Sequence, residues 1–162
     1  MSGDVGSKTT SPTADRELVF TRILDAPRAL VWEVWTDPKH VAEWWGPLGF
    51  SITTHRMAVR PGGEWRLVMH GPDGTDYNNR IVYVEVVKPE RLVYKHVPDK
   101  DTEPVSFETT VTFAEREGKT ALTMRMLFPS AKALQHVVRT YGAEEGAKQT
   151  LGRLAAHLAT LK

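Results

Sequence analysis

Between Glu17 and Asp25 the chain reads ELVFTRILD, a run of branched and aromatic residues that predicts a strand. At Ala26-Pro27 the period changes. Leu30, Val31, Val34 and Trp35 then fall on one helical face, and proline suits the first turn because its missing N–H would have no partner there. Asp37-Pro38 repeats the start signal for a second short helix carrying Val41, Trp44 and Trp45, which Gly46-Pro47 ends. Strands follow over 51–59, 64–70, 75–87, 91–97, 105–114 and 120–128, separated by turn-forming residues such as Gly71-Pro72-Asp73-Gly74 and Glu117-Gly118-Lys119. The stretch Pro98 to Pro104 reads as a charged, mobile loop. In 75–87 apolar residues occupy both parities, which predicts a bulge or burial on both faces. After Pro129-Ser130 the helical period returns. Ala133, Leu134, Val137 and Val138 predict a short helix, and Tyr141 to Leu161 a long one. The apolar stripe of the long helix is Ala143, Ala147, Leu151, Leu154, Leu158 and Leu161. Its outward positions, including Lys148, Arg153 and His157, are expected in solvent.

Short connections make the sheet antiparallel, so the fold class is α+β: about seven strands, two short helices after the first strand, and a long C-terminal helix. One face of such a sheet needs a cover, and that helix is the one long amphipathic element available. A curved sheet wrapped around it leaves a space unless large side chains fill it. Gly142, Gly146 and Gly152 either keep that space open or allow close helix–sheet packing, and each costs about 1 kcal/mol relative to alanine inside a helix. Residues 1 to 15 are small and polar and predict a disordered tail ahead of one domain over 16–162.

Composition narrows the function mainly by exclusion. Lys+Arg 21 against Asp+Glu 20 gives a net charge of +1, too balanced for a dedicated nucleic-acid binder. The chain has no cysteine, which excludes thiol catalysis, disulfides and Cys-based metal sites and fits a cytoplasmic location. No apolar run approaches the ~20 residues that span a bilayer, and no secretory signal is expected.

The segment Thr21-Arg22-Ile23-Leu24-Asp25-Ala26-Pro27-Arg28-Ala29-Leu30-Val31-Trp32 resembles the opening of the START-like (SRPBCC) superfamily with its helix-grip fold. More narrowly, it resembles the family named after the activator of the heat-shock-protein-90 ATPase. Trp35-Thr36-Asp37-Pro38, Trp44-Trp45-Gly46-Pro47, Arg60-Pro61-Gly62-Gly63-Glu64-Trp65, Pro89-Glu90-Arg91-Leu92-Val93 and Leu127-Phe128-Pro129-Ser130 continue the resemblance over about 17–161. It implies a hydrophobic cavity between sheet and long helix. It also implies binding of apolar small molecules, cyclase chemistry in a few members and a chaperone contact in eukaryotic relatives. It fixes no catalytic residue set. Where members of the family often carry a Trp after the Gly of the last helix, this chain has Gly146-Ala147, which should enlarge the cavity or require a compensating side chain.

The candidate cavity residues are Trp44, Trp45, Trp65, Met69, Met124 and Met126, with Ala147 from the helix. Flexible Met and amphipathic Trp suit an apolar ligand; plain core packing is the other reading of each. Tyr77, Asn79 and Arg80 could orient a polar head group, with Arg80 in solvent as the alternative. No metal site is expected: the histidines have no ligand spacing, with His40 and His157 placed on the surface and His70 and His96 on strands facing either way. No cofactor motif is present. Three readings follow, namely a cytoplasmic binding protein for an apolar or amphipathic molecule, a polyketide cyclase/dehydratase-type enzyme, and a chaperone-interacting module. Homodimers are common among such folds, and the sequence shows no interface.

Overall fold

The structure, a computed structural model, describes residues 13–161. The tail expected over 1–15 therefore lies mostly outside the described residues, and its end is a single 3-10 turn, Ala14–Arg16. That turn is held to the body by Arg16, which donates to the carbonyl of Phe128 at 2.7 Å. Among the described residues the elements are β1 (Glu17–Leu24), α1 (Arg28–Thr36), α2 (Pro38–Trp44), β2 (Ser51–Met57), β3 (Glu64–His70), β4 (Asp76–Val87), β5 (Arg91–His96), β6 (Phe107–Arg116), β7 (Lys119–Leu127), α3 (Ala131–Tyr141) and α4 (Ala143–Ala159). The seven strands form one curved antiparallel sheet in the order β1-β7-β6-β5-β4-β3-β2. Each strand pairs with its sequence neighbour except β1, which closes against β7 (Glu17 opposite Leu127, Leu24 opposite Thr120).

The short helices start where the sequence directs. Asp37 caps α2 by accepting the Lys39 amide at 2.8 Å, and Pro38 occupies the first turn. The double parity of β4 resolves as a bulge. Tyr83 pairs with Tyr94 and Glu85 with Val93, leaving Val84 as the extra residue. Ile81 and Tyr83 therefore face the core before the bulge and Val86 after it. A second irregularity at His55 bends β2.

The long C-terminal helix does not run unbroken from Tyr141. Gly142 takes φ +63° and ψ 40°, ending α3 and opening α4, so the expected helix is two helices meeting at a left-handed residue. Gly142 is thus a cap, and the helix-interior cost expected of it does not apply. Ser130 opens α3 by accepting the Ala133 amide.

The core lies between the concave face of the sheet and the helices. Trp35 and Trp44 from α1 and α2, Trp65, Tyr83 and Phe113 from the sheet, and Leu154 from α4 are all essentially solvent-free. Two of the indole N–H groups inside it are paired: Trp44 donates to the carbonyl of Val34 and Trp65 to the hydroxyl of Thr54.

Candidate functional site

The core does not fill the space under the helices. A cavity of about 300 Å³ remains, bounded by the inward residues of β3 to β7, the segment after α2, the segment before β6, and the facing sides of α3 and α4. Alternation along the strands sets its wall. Met69, Tyr77, Asn79, Tyr94, His96, Phe107, Thr109, Met124 and Met126 all point inward because each occupies the core-facing parity.

Of the residues expected at the cavity, Trp44, Trp45, Met69, Tyr77, Asn79, Met124, Met126 and Ala147 are brought together around it. Trp65 and Arg80 are not. Trp65 is buried behind the wall, its ring packed edge-on against Trp45 at 4.7 Å. Arg80 lies on the outer face, where it bonds Glu64 in a cluster with Arg56, Arg66 and Asp99. Neighbours along a strand point to opposite faces, so Asn79 in the cavity puts Arg80 outside it. Arg80 is the foremost of the cations that hold the Glu64 carboxyl below its ordinary range.

The wall also contains residues outside the candidate set, among them His96, whose facing the sequence left open. Trp35 and Tyr94 lie deep. His96 stacks on Phe107 with ring centroids 4.2 Å apart, and its Nδ1 is out of solvent with no hydrogen-bond partner. Burial drives the imidazole down to about 4, so it is neutral at neutral pH. Burial likewise raises the Tyr94 hydroxyl. Glu103, from the segment before β6, accepts a hydrogen bond from the Tyr141 hydroxyl at 3.0 Å.

The covering helix meets its surroundings in two ways. At Gly146 an added Cβ would lie 3.2 Å from Pro47 Cγ, so glycine permits a close approach there. One residue on, Ala147 faces the cavity. Both readings of the small residues thus apply, at adjacent positions. Arg153 is not a solvated outward residue. Its Nη1 donates to the carbonyls of Gly46 (2.9 Å), Pro47 (3.1 Å) and Phe50 (3.1 Å), with Trp45 at 3.3 Å. It therefore fixes the segment that forms one side of the cavity. Nor are His40 and His157 free surface groups. Both are half-buried and meet across α2 and α4 at 2.9 Å, and burial followed by the nearby His40 lowers the His157 imidazole.

His70 faces outward, between the Thr53 hydroxyl at 2.7 Å and the Asp76 carboxylate at 2.8 Å. Glu33, Asp37 and His40 bring potential ligand atoms within 4.8 Å of one another, although Asp37 is already committed as the α2 cap.

The chain that builds this sheet and its cover has counterparts among known proteins. The profile of the family described as Activator of Hsp90 ATPase homolog 1-like protein matches residues 25–159. The chain belongs to that family. Solved structures agree with the membership. A crystal structure of a Nitrosomonas europaea protein is 26% identical with a TM-score of 0.81, covering 91% of this chain and 96% of that one. A Mycobacterium smegmatis protein is 26% identical with a TM-score of 0.76, covering 89% and 91%. A solution structure from Arthrobacter aurescens, at 24% identity and a TM-score of 0.85 over 93% and 90% of the two chains, shares the fold. No curated protein matches the chain. In this chain's helix-grip fold the cavity lies between the sheet and the covering helices. Among the described residues no helix is long and apolar enough to cross a membrane.

Proposed function

We propose that this protein binds an apolar or amphipathic small molecule in the cavity under α3 and α4, acting as a cytoplasmic binding protein. The observation that carries the reading is the unfilled volume of about 300 Å³ with a wall of Trp, Phe, Met and Tyr side chains. A close-packed interior leaves few voids larger than a water molecule, whereas ligand pockets begin near this volume. The wall combines flexible thioethers, which adapt to varied shapes, with a few polar groups that can orient a ligand. His96 supports the same reading, since its unpartnered Nδ1 is a buried polar atom that a bound molecule could satisfy.

Native mass spectrometry of the purified protein beside a denatured run, followed by a thermal-shift screen of apolar compounds, tests the proposal. A co-purifying molecule, or a melting temperature that climbs with ligand concentration, is the expected result. A clean unliganded mass together with a flat screen would overturn it and direct attention to the surface, where a chaperone contact would lie.

A further inference from the structure

The charges around the cavity are one-sided. Among the described residues its wall includes one carboxylate, Glu103, and no lysine or arginine. Glu103 accepts the Tyr141 hydroxyl at 3.0 Å and makes no ion pair with a described residue. The cation next to the wall, Arg153, is turned onto the carbonyls of Gly46, Pro47 and Phe50 and does not line the cavity. His96 is neutral near pH 7, and burial keeps the Tyr94 and Tyr141 hydroxyls protonated. An acidic ligand would therefore lose its hydration in this cavity with no counter-ion to replace it, which is costly for any ion.

Around Glu103 the wall is aromatic. The Tyr141 ring meets Tyr77 edge-on at 6.4 Å, and Tyr77 meets Phe50 at 6.0 Å. All three residues line the cavity. Ring faces attract a cation within about 6 Å. A carboxylate bonded to Tyr141, whose ring in turn meets Tyr77, at the edge of a mostly apolar space is a matched receptor for an ammonium group attached to an apolar body.

We infer that the ligand of this cavity is an amphipathic amine, its apolar body among the Trp and Met side chains and its ammonium against Glu103, Tyr141 and Tyr77. This rests on the ligand-binding reading above and narrows it to a charge class.

Calorimetric titration of the full-length protein with three probes sharing one body tests it: naphthylmethylamine, naphthylmethanol and naphthoic acid. The amine should bind about tenfold more tightly than the alcohol, equivalent to about 1.4 kcal/mol, and the acid more weakly than both. That tenfold ratio should shrink as salt is added, because the pair is partly exposed. In Glu103→Gln, checked for an unchanged melting profile, it should fall to about one. Equal binding of amine and alcohol, or tightest binding of the acid, would overturn the amine assignment and leave the ligand-binding reading standing. A ratio that survives in Glu103→Gln would overturn the role given to that carboxylate. Failure of all three probes up to millimolar concentration would remove both readings for aromatic ligands of this size.

Discussion

Replacing Arg153 by methionine tests how the cavity wall is held. The guanidinium sits against four backbone carbonyls of 45–50 at 2.9 to 3.3 Å, and Nη2 reaches the carbonyl of Glu43 at 3.3 Å. Two Nη1 protons shared among four acceptors amount to about two good charge-assisted bonds, each contributing on the order of 1.5–3 kcal/mol. Part of that is offset by the burial that lowers the pKa of this guanidinium. Methionine keeps much of the apolar stem and removes the donors, leaving the carbonyl of buried Gly46 without this partner. We expect Arg153→Met to cost about 3 kcal/mol in urea unfolding, which for a chain of this length lowers the melting temperature by about 6–12 °C. Hydrogen exchange should quicken at the amides of 46–50 ahead of the strands. Arg153→Lys keeps the charge without the planar fork and should recover about half of the loss. A melting temperature for Arg153→Met within a degree of wild type, or unaltered exchange in 46–50, would refute the clamp.

Four further outcomes follow from the geometry. Gly142→Ala should destabilise by about 1–2 kcal/mol, because alanine pays for the left-handed conformation although nothing crowds its Cβ. Gly152→Ala, inside α4 with open space around it, should stabilise by up to about 1 kcal/mol, and chemical denaturation reads both. Ala147→Trp should leave the fold intact by circular dichroism and sharply weaken binding of the naphthyl probes, since the added indole enters the cavity; undiminished binding would place the ligand elsewhere. The His96 imidazole lies at about 4 when folded against an ordinary 6.5, so the unfolded chain takes up its proton first on acidification. Its contribution is present above pH 6.5 and is lost as pH falls toward 4. Relative to His96→Phe, wild type should lose on the order of 2–3 kcal/mol across that window, and parallel stability curves would contradict the assignment.

Strand parity made most of the fold and much of the wall legible. The alternation Trp65, Leu67, Met69 identified the inner face of β3, and the mixed parity of 75–87 signalled either a bulge or burial on both faces, of which the structure has the bulge, at Val84. Parity gives a face and says nothing of depth, which is why Trp65 faces inward yet lies behind Trp45. It also rules out Asn79 and Arg80 sharing the cavity, a consequence the candidate set did not apply. Glu103 and Tyr141 meet only in three dimensions, one from an irregular segment and the other at the end of α3. For Arg153 the helical stripe correctly gave a position off the core. What it could not convey is that 45–50 wraps that flank of α4 and leaves its carbonyls there. The break at Gly142 had a signal, a glycine between two amphipathic stretches, which an uninterrupted helix reading passed over.

The pairing of β1 with β7 has a consequence for how the chain reaches this state. Partners such as Leu24 and Thr120, or Glu17 and Leu127, are roughly a hundred residues apart, whereas every other strand pair joins sequence neighbours. The meander from β2 to β7 can assemble hairpin by hairpin while the first strand remains unpaired. During synthesis β1 emerges before the other strands and has no partner until β7 has left the ribosome. Its exposed Val19 and Ile23, 52% and 55% accessible even in the native state, then lie on an open strand prone to pairing with another chain. Closure of the sheet is thus a late, high-contact-order step, and the interval before it is when this protein is most vulnerable to aggregation.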